Sequence, residues 1–230
     1  MTSPLASIAL FHLGPVPISS AVIDTWAIMA VLVCGAWLLT RRLSLLPTRT
    51  QAFLELLVGT VDDQIRDTMR MEPAPYRSLI GTLFVFIFVA NWSSLVPDIE
   101  PPTAHLETDA ALALLVFAAI IWFAVKAGGV RGYLHSFASP NPIMIPLNFV
   151  ESLTRTFSLL VRLFGNVMSG VFVIGIVLSL AGLLVPIPLM ALDLLTGAVQ
   201  AYIFAVLAMV FIAGTIGEAA PTDSNQRTPS

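Results

Sequence analysis

The sequence predicts an all-α, polytopic membrane protein of about five transmembrane helices, the last two forming a long, tilted C-terminal helical hairpin. Three observations carry that prediction. Of 230 residues, 57% are hydrophobic and only 11% are charged, whereas soluble domains carry about twice that charge fraction. The mean hydropathy is +0.90. The apolar residues gather into five stretches of about the 20 residues needed to cross a hydrocarbon layer, or more. The length suits one compact bundle. A net charge of −3 without a basic patch excludes a nucleic-acid partner. The single cysteine, Cys34, rules out a disulfide within the chain and any cysteine metal site, and is expected as filler against lipid or a neighbouring helix. No positive region precedes the first apolar stretch, so the first span is expected to act as its own insertion signal.

The first span covers about 21–40, with Trp26 and Trp37 near its ends, where aromatic rings favour the interface. The second covers 78–96 and contains "LIGTLFVFIFVANW"; the third covers 108–125. Between the first two, residues 41–77 are mixed in charge and partly helical, as befits a surface segment. The stretch "SPNPIMIP" (139–146) reads as a hinge, since each proline disfavours helix in the residue before it. The last two apolar stretches, 146–180 and 188–216, are too long for upright crossings. A 35-residue helix extends about 52 Å at 1.5 Å per residue, so each must break or tilt. Tilt is the expectation, with the turn at "LLVPIPL". Residues 1–20 form an N-terminal segment, 21–217 the membrane domain and 218–230 a polar tail.

Orientation follows from the basic residues. Arg41, Arg42, Arg49, Arg66, Arg70 and Arg77 lie between spans one and two, and Lys126 and Arg131 follow span three. The first 40 residues hold no Lys or Arg. Neither does the 97–109 connection, which carries Asp98, Glu100, Glu107 and Asp109. The positive-inside rule therefore puts the N-terminus outside and, after five crossings, the C-terminus in the cytoplasm, in agreement with Arg227.

Within "TRTFSLLVRLFGNVMSG" (154–170), Arg162 is surrounded by Leu159, Leu160, Val161, Leu163 and Phe164. An arginine at a helix centre costs roughly 2.5–3.5 kcal/mol on insertion scales and stays charged. Its own helix offers only the neutral Ser158, Asn166 and Ser169, so a counter-charge must come from another helix, water or another subunit. The alternative is a guanidinium snorkelling to the interface. Glu151 and Arg155 are spaced for an ion pair, structural or at an ion entrance. Asp193 and Gln200 are seven residues apart, about 700° of rotation, and so share a face roughly 10 Å apart. That stripe suits a polar path through the bundle; an interhelical hydrogen bond for Gln200 and an interfacial site for Asp193 are the plainer readings. Glu218 ends the same helix, at an inner mouth or in solvent. His12, His105 and His135 are far apart and expected in solvent, with no metal site. No catalytic triad, phosphate loop or zinc motif is present, so bond-making chemistry is not expected and no cofactor is called for.

"SLLVRLFGNVMSG" followed by "QAYIFAVLAMVFI" resembles subunit a of the membrane sector of rotary F-type ATP synthases. "DTWAIMAVLV", "NWSSLVP" and "EPPTAHLETDAALAL" extend the similarity over roughly Ala21 to Gly217. The resemblance implies a non-catalytic subunit in which two long tilted helices press against a rotating ring of c subunits, held by b-type peripheral stalk subunits in a bacterial-type energy-coupling membrane. It implies that Arg162 faces the ring carboxylate and blocks leakage between two half-channels, that Gln200 lies across from it, and that Asn166, Ser169 and Gly170 line the path. The position nine after the motif arginine is usually ionisable, and here it is Val171. Asp193 is the expected substitute in the outward half-channel. Protons are the expected ion, sodium the variant; a stand-alone secondary transporter is the competing class, although the internal repeats of that class are not evident.

Overall fold

The computed structural model describes residues 9–13, 16–41, 49–95, 101–138, 143, 145–181 and 185–219. Six helices carry the fold: α1 Ser20–Thr40, α2 Arg49–Met69, α3 Arg77–Trp92, α4 Leu106–Ala138, α5 Ile145–Ala181 and α6 Pro186–Ala219. Five regions, Val22–Thr40, Arg77–Leu95, Leu106–Tyr133, Ile145–Leu180 and Ile187–Glu218, are long and apolar enough to cross a membrane. The all-α polytopic class is thus the observed one. A short antiparallel hairpin, β1 Ala9–Leu13 with β2 Val16–Ser19, precedes α1. Most of the hinge at 139–146 and residues 220–230 of the tail lie outside the described residues, as do the side chains of His12 and His135.

The two long apolar stretches are each one uninterrupted helix. At 37 residues α5 extends about 55 Å. Helix α6 is the hub: it packs on α3, α4, α5 and α2. Its buried face carries Ala201, Phe204, Ala205, Ala208, Met209 and Ile212, against Ile80, Leu83 and Ile87 of α3, Val116 and Ile120 of α4, and Leu159 and Leu163 of α5. The alanines matter because lipid tails supply no hydrophobic drive between helices, so close backbone approach and dispersion hold them together. By contrast, α1 packs loosely; Cys34 is exposed there, and the Arg41 guanidinium sits 4.9 Å above the Trp37 ring at its end.

Helix α4 runs beyond the expected end at 125. It is interrupted at Gly129, whose φ of 70° and ψ of 170° are not helical. Lys126 and Arg131, expected to follow the span, lie within the helix, which resumes after the glycine kink. At the other end of α4, two expectations are corrected. Asp109 belongs to the first helical turn and is fully buried, not part of an exposed connection, and His105 is half-buried rather than solvated.

The segment between α1 and α3 is the expected surface element. Helix α2 exposes Phe53 and Leu56 and buries Asp62, Ile65 and Met69, and it ends on Arg70 in the left-handed region at φ 54°. Arg77 grips Asp62 with two hydrogen bonds, Nε to Oδ1 at 2.5 Å and a second from Nη2 to Oδ2. That grip holds the Asp62 carboxyl below its ordinary value of 3.8. A depressed carboxylate stabilises the fold above its unfolded pKa and loses that contribution as pH falls through the folded one. Asp62→Asn is therefore expected to lower the thermal midpoint at neutral pH, and its deficit against the parent should shrink as pH falls below 3.8 and vanish once pH has passed through the lowered folded-state value. Thermal unfolding in detergent across that range checks both.

Candidate functional site

Burial along α5 has a period of four: Leu159, Leu163 and Val167 face the bundle. On the opposite side Ser158, Arg162, Gly165 and Ser169 are exposed. Arg162 stands halfway along the helix, and no ion pair or hydrogen bond reaches it among the described residues. A Cβ built on Gly165 would meet nothing in this chain. At Gly165, therefore, the small residue serves no contact among the described residues.

Two side-chain contacts fix the register of α5 against α6. Near the α5–α6 turn, Asp193 abuts Gly170 so closely that a Cβ there would lie 1.9 Å from Oδ1. Toward the α2 end, the Arg155 guanidinium lies 5.6 Å from the Phe211 ring centroid. Interpolating between these anchors places Arg162 at the level of about residue 202, within one helical turn of Gln200. Gln200 is buried, and its Nε2 has no hydrogen-bond partner among the described residues.

A cavity lies on each side of the Arg162 level. The one at the turn end, about 210 Å³, is lined by Asn166, Ser169, Gly170, Asp193 and Thr196 among apolar residues. The structure therefore brings four of the expected site residues to one wall. Ser169 Oγ spends its hydrogen on the Asn166 carbonyl, at 2.8 Å, while the buried Asn166 Nδ2 has no partner among the described residues. Buried amide donors are nearly always satisfied, so two unsatisfied ones, Asn166 and Gln200, suit a wetted path. Val171 is exposed and absent from this lining. The second cavity, about 500 Å³, is lined by Glu151, Thr154, Arg155 and Ser158 with Leu147, Val150 and Phe211. Glu151 and Arg155 form the expected ion pair within it. Glu218 is exposed at the end of α6 and lines neither cavity.

Sequence reasoning missed the clamp that holds α6 beside the first cavity. Asn91 Nδ2 donates to the Gly197 carbonyl at 2.8 Å, and Asn91 Oδ1 accepts from Thr103 Oγ1 at 2.6 Å. Trp92 Nε1 donates to the Leu194 carbonyl at 3.3 Å. A Cβ on Gly197 would come within 3.0 Å of Asn91 Cβ, so α3 approaches only because glycine is there. The signal was a lone asparagine closing an otherwise apolar span.

The family described as ATP synthase A chain matches residues 22–213. The chain belongs to that family. ATP synthase subunit a 2 of a Bradyrhizobium species is 55% identical over 219 residues, which cover 95% of this chain and 98% of that protein. ATP synthase subunit a 2 of Acaryochloris marina is 48% identical over 87% of this chain and 86% of its own length. ATP synthase subunit a of Albidiferax ferrireducens is 44% identical over 87% of each. As an ATP synthase A chain, the protein is an integral membrane component of that assembly. The matched region contains every residue of both cavities and Arg162 between them.

Proposed function

We propose that this chain is the proton-conducting stator subunit of an ATP synthase, with Arg162 as the fixed charge that the carboxylates of a rotating c ring must pass. One observation carries the proposal: a permanent cation, midway along a long apolar helix, is presented outward with no counter-charge paired to it among the described residues. A carboxylate on a partner helix supplies that counter-charge. In a low-dielectric setting the attraction is strong enough to favour the ionised carboxylate over the protonated one. Guanidinium suits the task because it does not deprotonate and offers a planar fork.

The two cavities act as half-channels on either side of that charge. A ring carboxylate arriving at Arg162 releases its proton into one cavity, pairs with the guanidinium, then leaves and takes a proton from the other. Because Arg162 separates the cavities along α5, no continuous water path joins them, and protons cross only with rotation. Asp193, Asn166, Ser169 and Gly170 form the outward half-channel, with Asp193 doing the work expected of an acid at position 171. Glu151, Arg155 and Ser158 form the cytoplasmic one, with Glu218 in solvent beyond it. Gln200 helps orient the water near Arg162. The N-terminal segment lies outside and the tail 218–230 in the cytoplasm, with peripheral stalk subunits holding the chain against ring torque.

Cross-linking tests the facing surface. In a Cys34→Ala background, Ser158→Cys and Ser169→Cys are each expected to form a disulfide with a ring-helix cysteine placed at its own level, on either side of the ring carboxylate, in the assembled complex. Val31→Cys on α1 should form none. A disulfide requires Cβ atoms about 3.5–4.5 Å apart, so absence of both cross-links in an assembled complex overturns the facing geometry.

A further inference from the structure

Asp109 has no role in the site described above, yet it is the most deeply buried carboxylate among the described residues. It is 0% exposed, and neither Oδ1 nor Oδ2 has a hydrogen-bond partner among the described residues. It lies on the face of α4 that carries Leu112, Val116 and Ile120 into the core, at spacings of three, seven and eleven. An ionised carboxylate placed there without a donor or cation beside it is far too costly to keep. The side chain must therefore hold a proton, which is the loaded state of a proton carrier.

Its position suits that use. Asp109 lies about 4.5 Å along α4 from the first residue of that helix, and Asp193 about 10 Å along α6 from its own, both at the end of the bundle bearing the α5–α6 turn. The short turn Pro102–Ala104 just before α4 packs on α3 and α5, and its buried Thr103 begins the polar chain through Asn91 to the Gly197 carbonyl. Next to Gly197 on α6, Thr196 Oγ1 donates to the Asp193 carbonyl at 2.9 Å. Among the described residues this end also carries Asp24 near the start of α1 and Glu107 in the first turn of α4. Such a mouth raises the local cation concentration.

We infer that Asp109 is a second proton-carrying carboxylate on the turn-end route, loading the translocated proton before Asp193 receives it; this rests on the translocation role proposed above. The proton arrives from water, binds the carboxylate and leaves toward Asp193.

The test uses the complete ATP synthase in proteoliposomes, with ATP-driven proton uptake read by a pH dye. Asp109→Asn keeps the shape but cannot load a cation, and is expected to slow uptake at least about tenfold, with Asp109→Glu restoring most of it. Thermal unfolding of the assembled Asn variant should match the parent, which separates transport from folding. Uptake at the parental rate in Asp109→Asn overturns the inference and leaves Asp109 as a protonated space-filler. Should that variant fail to assemble, Asp109→Cys in a Cys34→Ala chain decides. A thiol is a far poorer ion carrier than a carboxylate, so uptake should be slowed as in the Asn variant, and uptake at the parental rate overturns the inference. Arg162→Ala, run in parallel, reports separately on the translocation role. Its uncoupling with Asp109→Asn unchanged defeats only this inference, and retained coupling in Arg162→Ala defeats the parent proposal.

Discussion

Arg162→Ala abolishes coupled ATP synthesis in the assembled complex while leaving the fold and passive ion exchange in place. The fold survives because no ion pair or hydrogen bond within the described residues depends on the guanidinium. Removing it also relieves the insertion cost, roughly 2.5–3.5 kcal/mol on translocon scales, so thermal stability should hold or rise. Coupling fails for two reasons. Without the fixed cation the arriving ring carboxylate has no incentive to ionise, and without the barrier the cavities on either side of residue 162 communicate. Loss of one preorganised charge at a reacting centre commonly costs on the order of 10²–10³ in rate, and here both synthesis and ATP-driven pumping should fall at least that far. Arg162→Lys should retain a small fraction of activity, because it keeps the charge but loses the fork and loses its proton more readily when desolvated. The measurement is ATP synthesis in proteoliposomes under an imposed gradient, with passive flux recorded alongside. Synthesis retained in Arg162→Ala would remove the coupling role.

The sequence disclosed this centre because Arg162 is an anomaly in its own neighbourhood: one charge in an apolar run needs no tertiary information to be noticed. The spans were legible for a similar reason, since hydrocarbon thickness sets their length and bilayer insertion sets their composition. Unbroken helices over α5 and α6 followed from tilt being a cheap remedy for mismatch. What stayed hidden was every property that depends on which helix faces which. Helix α4 is apolar on all sides, so periodicity could not say that Asp109 shares the buried face of Leu112 and Val116. Asn91 looked like a span terminus until Gly197 of α6 was found across from it. The true length of α4 was hidden too, because Lys126 and Arg131 read as following the span and the chain resumes as helix only through a φ of 70° at Gly129. The cavity wall of Asn166, Ser169, Gly170 and Asp193 is an intermediate case. The resemblance named the residues, and only the register of α5 on α6 brings Asp193 to Gly170.

That contact makes Gly170→Ala the second large effect, and one that local reasoning predicts with the wrong sign. Within a helix, Gly to Ala is ordinarily favourable by about 0.5–1 kcal/mol. Here the new Cβ would lie 1.9 Å from Asp193 Oδ1 and 2.7 Å from Cγ, far inside contact distance. The atoms it meets are the free end of a short side chain, so Asp193 can swing away at modest cost, and the protein should assemble and melt much as before. Transport should not survive as well. The carboxylate leaves the wall it shares with Asn166 and Ser169, and a displacement near 1 Å at a transfer site can cost on the order of 10²-fold. ATP-driven ion pumping by Gly170→Ala is therefore expected to fall toward that of Asp193→Ala. The double variant should be no worse than the worse single one, since both act through one group. Parental pumping by Gly170→Ala, or by Asp193→Ala itself, would show that the ion does not pass by this carboxylate. A double variant whose losses multiply would show that Gly170 acts elsewhere, for instance in close packing against the ring.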